Sequence, residues 1–202
     1  MHKSAMLRMQ WFIENYIPKD KKVRILDVGS YSVNGNYRQL FRNIDVDYVG
    51  LDIENGPNVD VVVKDAYCWN EIKDESFDFV ISGNAFEHIE FPWLTMEQIY
   101  KKLKPGGFIC ILAPFRLGEH RYPTDCYRYY PDGLKALAKW ARFTVVDATT
   151  GGVPDTDDLT EWHTENYDDT VLIAGKQIEA GTIDMLPKFS KEIRSQTIIQ
   201  GS

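Results

Sequence analysis

Acidic residues and a glycine stand at the ends of three short apolar stretches in the first third of this 202-residue chain. Asp27 and Gly29 close the first stretch, Asp52 closes the second, and Asp65 follows the third. Carboxylate oxygens accept hydrogen bonds, and a glycine lets a ligand lie close against the backbone because it has no Cβ. These residues therefore predict a binding site for a polar small molecule.

A second group of reactive side chains lies within residues 114–131, which are dense in titratable and aromatic residues and show little periodicity. An imidazole such as His120 can accept a proton near neutral pH, and a carboxylate such as Asp125 can orient it. Guanidinium groups suit carboxylate or phosphate ligands. A long segment of this kind in a compact domain is usually functional, so we expect it to cover a bound molecule. Its arginines are Arg116, Arg121 and Arg128.

Structural roles are open for the same residues. His120 could be an exposed or structural histidine, Asp125 could cap a turn, and the arginines could pair with acids of the same segment. His88 lies near the first group and is interpreted as a packing residue rather than a catalytic one. His163, between two acidic residues, is interpreted as a surface residue. No metal site is predicted.

Alternating strands and helices must position these groups. Short apolar runs rich in β-branched residues predict strands buried on both faces, and apolar residues three to four positions apart predict helices. In an open parallel sheet, ligands bind at the carboxyl ends of the strands, and Asn84 falls at that edge with the first group. The predicted strands are 23–28, 46–52, 59–63, 77–82, 108–113, 143–148 and 170–176; the predicted helices are 5–16, 37–42, 92–103 and 132–140.

The position of Asp52 favours a nucleoside ligand. An acid at the end of the second strand of such a sheet can accept both hydroxyl groups of a ribose. Asp65 could bind an adenine amino group, or it could cap the short segment that begins at Ala66, and both roles are compatible. Tyr67 and Trp69 could flank the base or belong to the core.

Composition restricts the architecture and the partners. The length suits a single domain, with an N-terminal helix in 1–20, a core over 21–176 and a tail over 177–202. The formal net charge of −7 argues against a general nucleic-acid binder. No apolar run predicts a membrane span, and the first residues lack the apolar core of a signal peptide. Three cysteines without CxxC spacing suggest reduced thiols in a cytoplasmic protein.

Four short pieces carry a family resemblance. They are Ile25-Leu-Asp-Val-Gly29, Val49-Gly-Leu-Asp52, Phe77-Asp-Phe-Val-Ile-Ser82 with Glu87-His88, and Leu103-Lys-Pro-Gly-Gly-Phe108. In this order and spacing the chain resembles the class I S-adenosylmethionine-dependent methyltransferases, most of all their small-molecule type 11 branch. The resemblance implies a Rossmann-like three-layer α/β/α sandwich. Its seven-stranded, mostly parallel sheet has the order 3-2-1-4-5-7-6 with an antiparallel last strand.

The resemblance also implies S-adenosyl-L-methionine as the cofactor. By position, Gly29 approaches the methionine part, Asp52 binds the ribose and Asp65 binds the adenine. Asn84 lines the site through its backbone. The full set of residues expected at the cofactor is Asp27, Gly29, Tyr31, Asp52, Ile53, Asp65, Ala66 and Asn84.

The glycine turn after the first strand departs from the family pattern, acid-x-Gly-x-Gly-x-Gly. Tyr31 replaces the second glycine, Val33 stands at the third, and Gly35 is displaced. We therefore expect the turn to take a different path, with Tyr31 turned out over the ligand. The absence of GxGxxG argues against a nicotinamide dehydrogenase.

The favoured function is methyl transfer to an O or N atom of a small acceptor. We expect His120 to act as the general base, oriented by Asp125. The arginines favour an anionic acceptor, and residues 120–128 weakly resemble the acceptor loop of methyltransferases from glycan and natural-product pathways, which favours a sugar-linked one. The alternatives are a binding module that keeps the fold without catalysis, and another nucleotide-binding enzyme. The residues expected to bind the acceptor are Arg121, Tyr122 and Arg128.

Overall fold

Seven strands form one sheet in the residues that the computed structural model describes, 3–150 and 167–189. The order is β3-β2-β1-β4-β5-β7-β6, with β1 to β5 mutually parallel and β7 antiparallel to β5 and β6. The predicted fold class, strand order and antiparallel last strand are confirmed. The strands are β1 Val23–Val28, β2 Val46–Asp52, β3 Val61–Val62, β4 Phe77–Gly83, β5 Leu103–Leu117, β6 Thr144–Thr150 and β7 Tyr167–Gly175.

Two apolar layers, one on each face, hold the sheet between helices. The layer on one face includes Met96 and Leu134, from the helices α2 and α3. The other includes Phe12, Tyr37 and Phe189, so the N-terminal helix and part of the predicted tail pack on that face. The helices are α1 Lys3–Tyr16, α2 Pro92–Lys102, α3 Pro131–Trp140 and the short α4 Ala180–Ile183, with 3-10 turns at Tyr37–Phe41 and Phe86–His88. Among the described residues, none of the helices is long and apolar enough to cross a membrane.

The element boundaries differ from the prediction mainly at the sheet edge that bears the site. β5 extends to Leu117, and β7 begins at Tyr167 rather than at residue 170. These extensions pair with each other in the ladder, where Leu117 faces Tyr167 and Arg116 faces Asp168. Long-range pairing of this kind leaves no local sequence signal, so a segment expected to be a loop lies partly in strands. The group around His163 lies outside the described residues.

Candidate functional site

The turn after β1 is built around a glycine that tolerates no side chain. Gly29 has a φ of +75°, and a Cβ there would overlap the Cβ of Ala85. Its N–H and that of Ser30 both donate to the carbonyl oxygen of Leu51, at 3.0 and 3.1 Å. These bonds tie the turn to the end of β2 and bring the carboxyl ends of β1, β2 and β4 close together.

A cavity of about 130 Å³ opens beside this turn. It brings together four of the predicted cofactor residues, whereas Asp52, Ile53, Asp65 and Ala66 lie outside its lining. Pockets for whole small-molecule ligands usually measure about 300–1,000 Å³, so this cavity suits one part of a larger ligand. Its lining is Asp27, Gly29, Ser30, Tyr31, Val33, Asn34, Gly35, Asn36, Tyr37, Gly83 and Asn84.

Asn84 closes the β4 side of the cavity in an uncommon backbone conformation, with a φ of +55°. Its N–H donates to the carbonyl oxygen of Leu112 at 3.0 Å, and its side-chain amide donates to Asp169 at 3.0 Å. Positive φ values at residues other than glycine cluster at ligand sites, where surrounding contacts hold them. The placement of Asn84 at this edge agrees with its predicted position.

The carboxylate of Asp52 accepts hydrogen bonds from the backbone, including that of the turn after β1. One carboxylate oxygen accepts the N–H of Tyr31 at 2.9 Å, and the other accepts the N–H of Ile53 at 2.7 Å. The Tyr31 ring is half-buried and lies against Gly56, where a Cβ would overlap the ring. The ring centroid lies 6.5 Å from that of Tyr122. These contacts connect the turn to Asp52, Gly56 and Tyr122. The different path expected from the sequence stays a prediction.

Asp27 lies under the turn, with only 3% of its surface exposed. It accepts hydrogen bonds from the Tyr48 hydroxyl and, at 3.4 Å, from the Asn58 amide. Burial raises its pKa to about 6, although both hydrogen bonds favour the ionised form. Asn58 also donates to the carbonyl oxygen of Ser30 at 3.0 Å, so Asp27 and Asn58 together support the floor of the turn.

The residues predicted at the adenine are divided between two roles. Asp65 is exposed and accepts the N–H of Tyr67 at 2.8 Å, which is the turn-capping contact. Trp69 is buried and donates from its indole N–H to the carbonyl oxygen of Ala66, so it belongs to the core. Tyr67 is half-buried, 5.4 Å from the ring of Phe91. The cap and an adenine contact by Asp65 remain compatible.

Tyr37 lines the cavity but is absent from the predicted site. Its hydroxyl is buried without a hydrogen-bond partner within the described residues, and a Cβ at Gly83 would overlap it. A buried hydroxyl is normally paired, so this one is available to a ligand in the cavity. The sequence predicted only a helix over 37–42, which gives no role to the hydroxyl of Tyr37.

A buried ion pair joins the N-terminal helix to β7 next to Asn84. Arg8 is 1% exposed and donates to Asp168 at 2.6 Å, with Asp169 at 3.6 Å. The helical periodicity places Arg8 among apolar neighbours but names no partner for it, and the aspartates stand in a stretch expected to be a loop. The pair therefore fixes α1 and the start of β7 at the rim of the site.

A second group of titratable side chains lies beyond Asn84. Glu87 is 1% exposed, and its Oε1 lies 3.7 Å from His88 Nε2 and 3.9 Å from His120 Nε2. Burial raises the pKa of Glu87 to about 8 and lowers that of His88. The histidine rings meet edge to face with centroids 4.8 Å apart. The predicted base His120 thus sits with His88, which was interpreted as packing, and with Glu87, which was not predicted.

Asp125 and Arg128 hold the segment that carries His120. Asp125 accepts the backbone N–H of His120 at 2.7 Å, whereas its carboxylate stays 3.7 Å from the imidazole Nδ1. Arg128 donates two hydrogen bonds to the Asp125 carboxylate, at 2.6 and 2.8 Å. It also donates to the backbone carbonyl oxygens of Leu117, Gly118 and Tyr127. The Arg128 guanidinium keeps the pKa of Asp125 well below its usual range. All five N–H groups of Arg128 therefore serve the loop in this conformation.

The other residues predicted at the acceptor are accessible. Arg121 donates to Glu119 at 2.9 Å, and both side chains are exposed. Tyr122 is 53% exposed, with its ring 6.4 Å from that of His88. These two side chains lie where a molecule bound beside the histidines could reach them.

Comparisons with known proteins bear on the family and the fold of the chain. Residues 26–111 match the sequence model of a family described as a methyltransferase domain. The chain is 26% identical to phosphoethanolamine N-methyltransferase 2 of Caenorhabditis elegans over 86% of its own length, but it spans only 42% of that protein.

Two solved structures share the fold at low sequence identity. A SAM-dependent methyltransferase from Archaeoglobus fulgidus superposes with a TM-score of 0.61 at 19% identity, over 85% of this chain and 94% of that one. The [4+2]-cyclase SpnF gives a TM-score of 0.64 at 17% identity, over 85% and 81% of the two chains. The fold is therefore shared with proteins of more than one described activity.

Proposed function

We propose that this chain is a class I S-adenosylmethionine-dependent methyltransferase that binds S-adenosyl-L-methionine and methylates a small acceptor. The observation that carries the proposal is the glycine turn at Gly29, packed against Ala85 so that a cavity opens at the carboxyl ends of β1 and β4. This turn lies within the matched residues 26–111. The fold alone would not support the activity, because folds of this kind host several functions.

The cavity beside Gly29 is proposed to hold the amino-acid part of the cofactor. Its lining offers the hydroxyl of Tyr37, which has no hydrogen-bond partner in the described ranges 3–150 and 167–189, and the polar side chain of Asn34. The cavity is too small for the whole cofactor, so the nucleoside part is proposed to extend along the edge past Asp52 towards Asp65. Ile53 and Ala66, which follow those two acids in the sequence, are proposed to contact the nucleoside part as well.

The acceptor is proposed to bind between Tyr122 and the histidines. The accessible guanidinium of Arg121 favours an acceptor with an anionic group, since a guanidinium pairs well with phosphate or carboxylate. The similarity to a phosphoethanolamine N-methyltransferase makes small amines that carry a phosphate the first acceptors to test. Alcohols, including sugar-linked ones, are the second group.

Methyl transfer is an in-line displacement in which the bond from acceptor O or N to the methyl carbon forms as the sulfur–carbon bond breaks. The acceptor must also lose a proton before or after this step. We propose that His120 takes it on Nε2, since this ring is partly exposed beside the proposed acceptor site. Asp125 contributes by holding the backbone of His120, through the 2.7 Å bond to its N–H.

A binding module without catalysis is the second candidate, and one observation favours it. The carboxylate of Asp52, expected to receive the ribose, already accepts the N–H groups of Tyr31 and Ile53. A carboxylate has further lone pairs, so these bonds do not exclude a ribose.

Calorimetry combined with an acceptor screen tests the proposal. We expect S-adenosylmethionine and S-adenosylhomocysteine to bind at one site per chain and NAD not to bind. We also expect labelled methyl groups to pass from S-adenosylmethionine to a phosphate-bearing amine or an alcohol. Cofactor binding without transfer to any acceptor would favour the binding module, and the absence of cofactor binding would overturn both candidates.

A further inference from the structure

We propose that Glu87, His88 and His120 form a binding site for one divalent transition-metal ion of the class that prefers imidazole and carboxylate ligands, such as Zn²⁺, Co²⁺ or Fe²⁺. Each of the three residues offers one ligand atom, and these atoms lie within 4.8 Å of one another. Two histidines and one carboxylate are a recurrent ligand set for these ions. The proposal concerns ion binding alone and does not depend on the methyl transfer proposed above.

The separations of the ligand atoms are close to those that a metal ion imposes. Ligands about 2.1 Å from a tetrahedral ion lie roughly 3.4 Å from one another. Glu87 Oε1 lies 3.7 Å from His88 Nε2 and 3.9 Å from His120 Nε2. All three atoms lie within 4.8 Å of one another, so side-chain rotations that draw them together are needed before an ion could bond to all three.

The carboxylate of Glu87 is buried, and no other residue in the described part of the chain donates a hydrogen bond to it. Both of its oxygens are inaccessible and have no partner in the described part of the chain. Burial of a carboxylate is costly unless it is paired or bound to a metal ion. Asp169 and Asp125 add negative potential at Glu87, whereas the guanidinium of Arg128 adds positive potential there.

The hydrogen bond made by His88 leaves its metal-facing nitrogen free to coordinate. Nδ1 lies 2.6 Å from the carbonyl oxygen of Thr124. A carbonyl oxygen only accepts hydrogen bonds, so Nδ1 carries the proton and the lone pair is on Nε2, facing Glu87. A second-shell carbonyl that fixes the tautomer in this way is the usual companion of a metal-binding histidine.

His120 has a comparable support on its other side. Its Nδ1 faces Asp125 at 3.7 Å, and Asp125 is fixed in turn by Arg128. A small rotation of the imidazole would complete the carboxylate–histidine arrangement that supports many metal sites. The three proposed ligands are therefore backed by two fixed groups, the carbonyl of Thr124 and the carboxylate of Asp125.

Occupation of the site would give His120 a different chemical role. A bound ion would take the lone pair of Nε2, so His120 could not act as a general base in the same molecule. Three protein ligands would leave further coordination positions for water or a bound molecule. Metal binding therefore has to be measured on the protein alone, without cofactor or acceptor, so that its failure leaves methyl transfer untouched.

The test uses full-length, tag-free protein stripped with a chelator and titrated with Zn²⁺ by calorimetry and with Co²⁺ by visible absorption. We expect one ion to bind per chain. The visible absorption bands of bound Co²⁺ should be those of an ion with nitrogen and oxygen ligands. Glu87→Gln and His120→Asn should each weaken binding by at least about 10-fold, the lower end of effects seen even for supporting residues. Glu90→Gln is the matched control, because Glu90 is an exposed carboxylate three residues after Glu87.

Three results would overturn the proposal. They are the absence of saturable binding, binding that Glu87→Gln and His120→Asn leave unchanged, and a thiolate-to-cobalt charge-transfer band that assigns the ion to the exposed Cys68 or Cys126. Thermal unfolding of each variant shows whether it folds. If Glu87→Gln does not fold, His120→Asn decides the question, because the His120 side chain is 41% exposed and tolerates substitution more readily.

Discussion

The candidate site has two proposed halves: a cofactor half at the turn after β1, and an acceptor half at residues 114–131. The two halves are built in different ways. At the cofactor half, backbone groups make most of the structure: Gly29 packs without a side chain, its N–H donates to Leu51, and Asn84 donates to Leu112. At the acceptor half, the loop over 114–131 depends on side chains, with Arg128 gripping Asp125 and the rings of two histidines in contact. A backbone-built half tolerates few substitutions at its glycines, whereas a side-chain-built half can change its chemistry one residue at a time.

The largest effect is expected at the backbone-built half. Gly29→Val places a β-branched side chain at a φ of +75° and against Ala85. Left-handed backbone and overpacking each cost roughly 1–3 kcal/mol, so we expect S-adenosylhomocysteine affinity to fall at least about 100-fold. Calorimetry measures this loss.

The control for Gly29→Val is Gly181→Ala, at a glycine where a Cβ would meet no described atom within 4 Å. It should leave binding unchanged. Thermal unfolding separates a displaced turn from a failure to fold. Wild-type affinity in folded Gly29→Val protein would show that the cofactor does not approach this turn.

The second prediction concerns His120, at the proposed acceptor half of the site. His120→Ala should lower turnover by about 100-fold or more, as expected for the loss of a general base, while cofactor affinity stays near wild type. Tyr130→Phe is the control, because Tyr130 is 64% exposed at the end of the same loop. Steady-state kinetics on the identified acceptor measures turnover, and titration with the cofactor measures its affinity. An equal loss of both would place His120 in support of the cofactor pocket.

The difference between the halves also explains what could be predicted from sequence. The cofactor half depends on local patterns, so Asp27, Gly29 and Asn84 were placed at the correct edge from strand ends alone. The strand order followed from the family resemblance. The expectation of a different path for the turn rests on one observation, that Tyr31 stands where the family has glycine.

The acceptor half could not be assembled from local patterns. Glu87 and His120 are 33 positions apart in the sequence, and their contact depends on how the loop folds back over the 3-10 turn. Arg128 has the residue type of an anion-binding group, yet its partners all lie within 12 positions of it. Whether a guanidinium faces a ligand or its own loop depends on tertiary packing. Its predicted role at the acceptor therefore stays a prediction.

The third prediction concerns the boundary between the halves. Asp52→Ala should weaken S-adenosylhomocysteine binding by about 1.5–3 kcal/mol, the scale of hydrogen bonds that involve a charged group. Part of this loss comes from the ribose and part from the turn, since Asp52 also accepts the Tyr31 N–H. Asp52→Asn keeps one acceptor oxygen for that N–H and should lose less. Unchanged affinity in a folded Asp52→Ala protein would remove Asp52 from the site.

The smallest effect is expected at Tyr31, whose ring bridges the halves. It lies against Gly56 on the cofactor side and faces Tyr122 of the loop, with ring centroids 6.5 Å apart. Tyr31→Gly would restore the family residue while keeping the backbone N–H that donates to Asp52. If the ring only covers the site, its removal adds backbone freedom to the turn and costs less than about 1 kcal/mol of S-adenosylhomocysteine affinity.

An alternative view of Tyr31 predicts the opposite sign. If the ring occupies space that a conventional turn would leave to the cofactor, Tyr31→Gly should raise the affinity, because the obstruction is removed. Tyr31→Phe provides the matched control, since it removes only the hydroxyl and keeps the ring in contact with Gly56. Calorimetry on the wild type, Tyr31→Gly and Tyr31→Phe decides between the two views by the sign of the change in S-adenosylhomocysteine affinity. Higher affinity in Tyr31→Gly alone would show that the ring obstructs the turn. Slightly lower affinity in Tyr31→Gly, with no change in Tyr31→Phe, would show that the turn binds the cofactor with Tyr31 in place. It would also show that the ring shields the site without contacting the cofactor through its hydroxyl.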